Sequence, residues 1–313
     1  MNILLTNVGR RTYFVDFLLE INKKENIKIH LSDCDLRTPS FYHNKKCKTH
    51  ITPKVKNNKS NYLSSLIKLV KTNKINLIIP LSDLDLEILS DNINKFQKLK
   101  CFIAISNSKV IKTCYDKIKL LSFCKKYQIN YPKLFFNKND IRKFPIIKKE
   151  IKGSGSKGLK KIFSKKEMIG LNEKNFVFQE LIKGNEYNVD IFNDLNGRYV
   201  SCCIKKKLLM RAGETDKCEV VDNSKIEKFS IKISKTLKHV GNLDCDIIMN
   251  GDKINLIDLN PRFGGGYPFT HLSGLKYVSA LIKMYKGKKY QLIKKPKKII
   301  GMKSISLQYY PKN

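Results

Sequence analysis

Four polar residues near the end of a predicted β-hairpin have the chemistry of a metal–phosphate site. Residues 246–266 read DIIMNGDKINLIDLNPRFGGG, where runs of alternating apolar residues flank an Asn-Gly turn. Asn-Gly between such runs is the strongest short signal for a hairpin. The pairing brings Asp246 close to Asp258 and Asn260, with Arg262 just beyond. Two carboxylates and an amide carbonyl suit Mg²⁺, and the guanidinium suits a polyphosphate carried by that ion.

A solvated hairpin with surface acids is the alternative interpretation. It is less favoured because Asp258 stands between Ile257 and Leu259, and buried acids are rare unless they are paired or bound to metal. Strand alternation predicts that Ile254, Leu256 and Asp258 share one face, with Ile257 and Leu259 on the other.

A glycine-rich stretch at 149–158, KEIKGSGSKG, carries a second candidate site. Strand patterns at 144–149 and 159–163 flank it, so it is predicted to be a hairpin tip and not the strand–turn–helix of a dinucleotide fold. Free N–H groups in such a tip can cover phosphates, and Lys149 can reach one as a point charge. Taken alone, the loop would favour a mobile surface hairpin, but with the first candidate site in the same chain the phosphate interpretation is favoured. The loop residues assigned to phosphate are Gly153, Ser154, Gly155 and Ser156.

Residues 1–105 alternate apolar strand patterns with amphipathic helical patterns. This alternation indicates a parallel sheet with crossover helices, whose ligands bind at the carboxyl ends of the strands. Arg10 and Arg11 could hold a substrate anion there, or they are two ordinary surface arginines. The residues at these ends that are predicted to face a substrate are Gly9, Arg10, Arg11, Asp33 and Asp83.

Further along the chain, Asp116 is predicted to cap a helix that ends near residue 127. Strand patterns occupy 185–207, and the periodicity predicts a helix at 275–284 and a last strand at 305–309.

The formal net charge of +35 and a pI of 9.8 raise the possibility of nucleic-acid binding. The lysines are dispersed along the chain without a basic stripe or an aromatic stacking motif, so a nucleic-acid-binding module is the weaker alternative. The charge would still attract small anions.

Nine cysteines without a CxxC motif indicate reduced thiols and a cytoplasmic protein. No apolar run of about 18 residues occurs, so no transmembrane helix and no membrane partner are expected. A zinc site is a less favoured alternative for one group of residues, because its flanks lack knuckle turns. That group is Cys34, His43, Cys47 and His50.

Four motifs together resemble the ATP-grasp family, in the branch similar to the large subunit of carbamoyl-phosphate synthase. They are Lys149 with GSGSKG, QELIKGNEY at 179–187, RAGE at 211–214, and DLNPRFGGGYP at 258–268. The resemblance implies an α/β chain with a Rossmann-like pre-ATP-grasp domain and then an ATP-grasp fold, whose two α+β subdomains clamp ATP. The implied domains are 1–105, 106–182 with the glycine-rich lid loop, and 183–313 with the Mg²⁺ site.

The resemblance also implies how the nucleotide is bound. Lys117 and Lys149 would contact phosphate, and Glu186 would accept the ribose hydroxyls. The chain departs from the family at Glu150, where relatives have proline, which leaves open whether Lys148 or Lys149 contacts ATP. The hinge that holds adenine would consist of Glu180, Leu181 and Ile182.

For metal and catalysis, the resemblance implies that Asp246, Asp258 and Asn260 bind Mg²⁺ and that Arg262 stabilises the transferred phosphoryl group. Arg211 is implied as a second catalytic residue, and Lys205, Lys206 and Lys207 would lie near the phosphates or the acid. Position 258 is Asp where Glu is more common, so the metal geometry would need a small shift.

The implied activity is that of an ATP- and Mg²⁺-dependent ligase. A small carboxylate would be activated as an acyl phosphate and attacked by an amine, giving an amide, ADP and phosphate. The alternative is phosphorylation of a small acid as in carbamoyl-phosphate synthase, which would need a partner subunit. A homodimer or an amidotransferase partner would fit the resemblance.

Overall fold

The computed structural model describes residues 1–153, 158–171 and 174–309. Within these residues the chain forms three sheets, which follow one another along the sequence. None of the helices in the described ranges is long and apolar enough to cross a membrane.

The first sheet is parallel and has the strand order β3-β2-β1-β4-β5, which confirms the predicted parallel sheet. Its strands are β1 Asn2–Thr6, β2 Lys28–Asp33, β3 Lys48–Ile51, β4 Leu77–Pro80 and β5 Phe102–Ile103. The helices between them are α1 Thr12–Glu25, α2 Pro39–His43, α3 Lys59–Asn73, α4 Leu86–Asp91 and α5 Ile93–Gln97. The strand order reverses between β1 and β4, where a ligand is expected at the carboxyl ends.

Two helices, α6 Ser108–Tyr115 and α7 Lys117–Lys126, lead to the second sheet. The Asp116 side chain caps α7 by accepting from the backbone N–H groups of Ile118 and Lys119, as the sequence predicts. The second sheet is antiparallel with the order β6-β9-β7-β8. Its strands are β6 Leu134–Phe135, β7 Ile146–Glu150, β8 Lys160–Ile162 and β9 Phe176–Glu180, with 3-10 turns at Lys138–Asp140 and Lys166–Met168.

The third sheet is antiparallel and has the order β14-β13-β10-β11-β12-β15. Its strands are β10 Asn185–Asn193, β11 Tyr199–Arg211, β12 Glu214–Val220, β13 Gly241–Asn250, β14 Lys253–Asn260 and β15 Ile300–Met302. Its helices are α8 Ser224–Leu237, α9 Tyr267–Leu272 and α10 Tyr277–Tyr285. The three predicted domains, 1–105, 106–182 and 183–313, would each contain one sheet, and their boundaries stay a prediction.

The predicted β13–β14 hairpin is present, and Asp246 lies opposite Asp258 in its register. The predicted faces of β14 are wrong because a β-bulge shifts the register between Asp246 and Ile247. After the bulge, Leu259 joins Ile254 and Leu256 in the buried core. Ile257 instead lines a cavity together with Asp258. An extra residue in one strand reverses the alternation, and period-two patterning cannot anticipate it.

Of two elements predicted near the C-terminus, the strand is wrong and the helix is confirmed with shifted bounds. The region 305–309 is not a strand; the last strand within the described ranges is β15, which pairs with β12. The apolar residues that suggested it, Ile305, Leu307 and Tyr309, are 77%, 91% and 84% exposed. The predicted helix at 275–284 is α10, which begins two residues later, and α9 before it was not predicted.

Helix α1 of the first sheet packs against residues that follow β14. The Phe14 ring lies 5.1 Å from Phe263, and the Phe17 ring stacks on His271 at 3.7 Å. Phe14, Phe17 and Phe263 belong to one continuous core with buried residues of β10, β11 and α10. The first and third sheets are therefore joined by a shared apolar core, which fixes the N-terminal loops beside the end of β14.

Candidate active site

Two cavities meet beside the β13–β14 hairpin. The inner cavity, about 380 Å³, lies between the second and third sheets. The outer cavity, about 350 Å³, lies between the third sheet and the loop after β4. The residues that line both are Glu150, Gly153, Lys207, Met210, Gly213, Asp246 and Asp258. One extended ligand could therefore occupy both cavities.

The inner cavity has the wall expected for a flat heterocycle. Glu180, Leu181 and Ile182, the predicted hinge, all line it. Within the described residues, the backbone groups of Leu181 and Ile182 make no hydrogen bond to other backbone groups, so they are available to a ligand. Glu186 lines the same cavity, with its side chain 54% exposed. Further apolar lining comes from Ile147, Leu159, Ile248 and Ile257.

The structure separates the two adjacent lysines of β7. Lys149 lines the inner cavity, whereas Lys148 is buried with its ammonium 3.9 Å from the centre of the Phe176 ring. Burial lowers the pKa of Lys149, an effect that nearby Asp258 opposes. Lys117 also lines the cavity, and its Nζ donates to the Gly153 carbonyl at 3.2 Å. Of the two open registers, this geometry favours Lys149 as the residue that faces the nucleotide.

Asp246 and Asp258 line both cavities, and Asn260 lines the outer one. Asp258 and Asn260 make no side-chain hydrogen bond or ion pair within the part of the chain that is described, although both are partly buried. Asp246 Oδ1 accepts from Lys207 Nζ at 2.9 Å and from Asn188 Nδ2 at 3.0 Å. An unpaired, partly buried carboxylate beside a free amide is a donor set that fits Mg²⁺.

Burial raises the pKa of Asp258, and Asp246 and Asp83 act in the same direction; Lys117 and Lys149 act against it. A divalent cation would favour the ionised form. No group of three or more His, Cys, Asp or Glu residues able to hold a metal occurs in the described ranges, so the candidate set depends on the amide of Asn260.

Arg262 is held between two carboxylates. Its Nη2 donates to Asp83 Oδ2 at 2.8 Å, and its Nη1 donates to Asp244 Oδ2 at 2.8 Å. The three side chains are 8–10% exposed. Burial alone would lower the pKa of Arg262, but the two carboxylates outweigh it and raise that pKa above its ordinary value. The guanidinium is therefore a permanent, oriented positive charge that lines the outer cavity.

Of the five N-terminal residues predicted to face a substrate, Arg11 and Asp83 line the outer cavity. Arg11 Nη1 donates to the Phe263 carbonyl at 3.4 Å. Gly9 and Asp33 do not line either cavity; the Gly9 N–H donates to Asp33 Oδ2 at 2.9 Å. Arg10 is exposed and lies outside both walls.

Strand β11 places its charged residues at different depths. Lys205 is fully buried and pairs with Asp190, while its Nζ also donates to Thr270 Oγ1 at 2.9 Å. Lys207 lines both cavities. Arg211, predicted as catalytic, is 52% exposed, pairs with Asp216 at 3.0 Å and lines neither cavity. The structure does not bring Arg211 together with Arg262.

Sequence reasoning missed Asp244, Asn188 and Glu214, which all line the outer cavity. The glycines after Arg262 carried a signal: a Cβ at Gly264 would overlap the Asp244 carboxyl group, and one at Gly266 would overlap the Asn188 amide. Asp244 also precedes Asp246 by two residues on the same strand face.

Glu214 begins β12, and its Oε2 accepts from Lys303 Nζ at 2.9 Å. Burial would raise the pKa of Glu214, but Lys303 and Arg11 outweigh it and lower that pKa. Glu214 is therefore a fixed negative charge in the cavity wall.

Three predicted phosphate contacts, Ser154, Gly155 and Ser156, lie outside the described residues, while Gly153 lines both cavities. The structure does not assemble the alternative zinc group. His43 Nε2 instead bonds Asp16 at 2.7 Å, and His50 stacks on His30.

Comparisons with known proteins agree with this fold. Residues 114–266 match the model of the ATP-grasp domain, and residues 3–104 match that of the PylC-like N-terminal domain. No protein of curated function matches the sequence.

Solved structures with similar folds cover nearly the whole chain. The L-amino acid ligase from Bacillus licheniformis has a TM-score of 0.68 and 13% identity, over 91% of this chain and 74% of that one. A biotin carboxylase complex from Campylobacter jejuni has a TM-score of 0.71 and 15% identity, over 93% of this chain and 72% of that one. The MgADP-bound biotin carboxylase domain dimer of 2-oxoglutarate carboxylase from Hydrogenobacter thermophilus has a TM-score of 0.72 and 12% identity, over 94% and 71%.

At these identities the likeness shows the fold. The two family matches confirm the predicted family and fold class. They also support the predicted ligase class and the use of ATP and Mg²⁺. The chain therefore has a PylC-like N-terminal domain at residues 3–104, followed by an ATP-grasp domain at residues 114–266.

Proposed function

We propose that this protein activates a small carboxylate with ATP and joins it to an amine, giving an amide, ADP and phosphate. One observation carries the proposal. Asp258 and Asn260, whose side chains have no partner among the described residues, converge with the oriented guanidinium of Arg262 where a hinge-lined apolar cavity opens into a charged one. Adenine would occupy the inner cavity and the acid the outer cavity, so the γ-phosphate would lie between them.

In the first step a carboxylate oxygen of the acid attacks the γ-phosphorus of ATP. The bond to the β,γ-bridging oxygen breaks, ADP leaves, and an acyl phosphate forms. Mg²⁺ held by Asp246, Asp258 and Asn260 would neutralise charge on the phosphates. Lys117, Lys149 and Lys207 would add fixed positive charge along the same path. Arg262 would stabilise charge on the transferred phosphoryl group.

In the second step an amine attacks the acyl carbon, the C–O bond to phosphate breaks, and the amine loses a proton. Arg11 would orient the acid through an anionic group, because Arg11 lines the outer cavity and a guanidinium suits such a group. The cavity's polar lining and modest volume favour a small, charged acid over an apolar one.

The assembly and location are also part of the proposal. A homodimer is proposed because the structurally similar 2-oxoglutarate carboxylase domain is described as a dimer. An amidotransferase partner would be needed only if the amine is ammonia. We place the protein in the cytoplasm, where ATP is supplied and the nine cysteines, all free in the structure, would stay reduced.

The test is an acyl-phosphate trap. The protein is incubated with MgATP, hydroxylamine and separate pools of amino acids and sugar acids, and ADP and hydroxamate are measured. ADP and hydroxamate in equal amounts from one pool would support the proposal and identify the acid class. ADP formation that needs a pool but yields no hydroxamate would contradict it and indicate phosphorylation of a hydroxyl group.

A further inference from the structure

Asp83 is the one residue of the first sheet's loops that bonds directly to Arg262 among the described residues. It lies in the loop between β4 and α4, outside the matched ATP-grasp range of 114–266. Its Oδ2 accepts from Arg262 Nη2 at 2.8 Å, and its side chain is 10% exposed. The sequence predicted that Asp83 faces a substrate, but the geometry shows its carboxylate engaged by the guanidinium.

Arg262 needs both of its carboxylates to be fixed in direction. Asp244 holds Nη1 from β13, on one side, and Asp83 holds Nη2 from the other sheet. Arg262 Nε is buried without a hydrogen-bond partner among the described residues, and Nη1 also makes a long bond to the Phe263 carbonyl at 3.4 Å. Within that set, Asp83 is therefore the only group that holds Nη2 and so fixes the guanidinium plane. With Asp83 removed, the guanidinium could rotate about its bond to Asp244.

The same network reaches the metal candidates. Asn188 Nδ2 donates both to Asp244 Oδ1, at 2.6 Å, and to Asp246 Oδ1, at 3.0 Å. A continuous chain of hydrogen bonds therefore runs from Asp83 through Arg262, Asp244 and Asn188 to Asp246. Side-chain networks of this kind restrict each member more than a single pair would.

The loop that carries Asp83 is itself anchored. Two residues along, fully buried Asp85 accepts from the Tyr62 hydroxyl of α3 at 2.7 Å. Asn7, just after β1, donates to the same hydroxyl oxygen at 3.3 Å. The loop is thus tied to the carboxyl end of β1 and to α3, which gives Asp83 a rigid base.

We infer that Asp83 is a positioning residue by which the PylC-like domain orients Arg262 for phosphoryl transfer to the acid. The inference rests on the proposed function. A positioning role and direct substrate binding predict different kinetic effects when Asp83 is replaced. A misplaced Arg262 slows the chemical step, whereas a lost substrate contact raises KM for the acid. Misplacing a catalytic group costs on the order of 10²-fold in rate.

The experiment compares Asp83→Asn, Asp83→Glu and the matched control Asp91→Asn in the hydroxamate assay. Asp91 belongs to the same domain, pairs with Lys112 at the surface and lines neither cavity. Rates are divided by the number of MgATP-binding sites titrated in each sample, so that unfolded protein does not count. We expect Asp83→Asn to lower kcat by on the order of 10-fold to 10²-fold, with KM for ATP and for the acid within about twofold. Asp83→Glu should recover part of kcat, and Asp91→Asn should match the wild type.

Unchanged kcat in Asp83→Asn, or a raised KM for the acid at unchanged kcat, would overturn the inference and leave the proposed function standing. Absence of hydroxamate from the wild-type protein with every pool would instead overturn the proposed function, and the inference with it.

Discussion

The environment of Asp258 is unfavourable for stability and is better explained by a role in binding. Its carboxylate is partly buried, and in the described chain it has no hydrogen bond or ion pair. Burial raises its pKa above that of an ordinary Asp, which means that the ionised form costs stability in the folded protein. These properties are those expected of a ligand for a cation that binds together with the nucleotide.

Replacement of Asp258 by Asn should separate function from stability. Loss of the anionic ligand should reduce MgATP turnover by on the order of 10²-fold or more. Removal of a buried unpaired charge should raise the unfolding temperature of the metal-free protein. Turnover assays and thermal unfolding without Mg²⁺ measure the two effects. Asp252→Asn, on the exposed turn of the same hairpin, is the control. A variant that loses stability and keeps turnover would show that Asp258 is structural.

The raised pKa of Asp258 also predicts how the Mg²⁺ requirement depends on pH. Only the carboxylate binds the ion, so protonation competes with Mg²⁺ as the pH falls through this pKa. As the pH is lowered, the Mg²⁺ concentration needed for half-maximal turnover should begin to rise. This rise should start at a higher pH than it would for an ordinary Asp, whose pKa is about 3.9. Because Asp246 contributes to the raised pKa, Asp246→Asn should move this rise to lower pH. A requirement that does not change with pH above that ordinary value would contradict the assignment.

The two lysines of β7 allow a matched comparison. Lys149 lines the inner cavity, whereas Lys148 lies against Phe176 on the other face. Lys149→Met should weaken MgATP binding by on the order of 10-fold to 10²-fold, the value of a charge-assisted hydrogen bond. Lys148→Met keeps the aliphatic stem and should change the affinity by less than about twofold. Calorimetric titration measures both affinities. A larger loss of affinity in Lys148→Met than in Lys149→Met would mean that Lys148 contacts ATP, the other possibility that the sequence left open.

At the scale of elements, β11 shows why depth along a strand matters. Alternate residues bury Lys205 in an ion pair and bring Lys207 into both cavities, while Arg211 at the strand's end is exposed. Lys207→Met should lower kcat by on the order of 10²-fold, because it removes a charge beside Asp246 in the reaction path. Arg211→Met should cost less than about tenfold. Steady-state rates decide between them, and a larger loss in Arg211→Met would support the role that the sequence motif implied for Arg211.

Local signals predicted much of this architecture, and the misses have physical causes. The Asn-Gly turn placed Asp246 opposite Asp258, and Asp116 capped α7, because both depend on neighbouring residues alone. The bulge beside Ile257 depends on how β14 packs against β13, which the alternation does not encode. The edge strand β3 was not predicted, because three of its four residues are exposed and the segment lacks an apolar strand pattern.

The partners of Arg262 could not be read from its motif either. Asp83 precedes it by 179 residues, and the shared core of the first and third sheets brings the two together. Asp244 precedes it by 18 residues and lies near it because Asp244 is opposite Asn260 in the β13–β14 pairing. Residue types identified the candidate ligands, whereas the fold determines which of them touch one another.

In the molecule as a whole, charge is distributed in two opposing ways. The chain has 62 Lys and Arg residues against 27 Asp and Glu. The outer cavity nevertheless contains six carboxylates in its wall: Asp83, Glu150, Glu214, Asp244, Asp246 and Asp258. The overall field would attract ATP and an anionic acid, and the local carboxylates would attract Mg²⁺ and a cationic amine. The two cavities between three sheets thus have the charge arrangement that acyl-phosphate chemistry needs.

The most direct test of the central claim follows an oxygen atom. An acid that gives a hydroxamate is supplied with ¹⁸O in its carboxylate, together with MgATP and an amine, and the released phosphate is analysed by mass spectrometry. If the carboxylate attacks the γ-phosphorus, one ¹⁸O atom is transferred to each phosphate. Phosphate that carries no ¹⁸O from the acid would mean that water attacks ATP, and the account of this site as an acyl-phosphate-forming centre would be wrong.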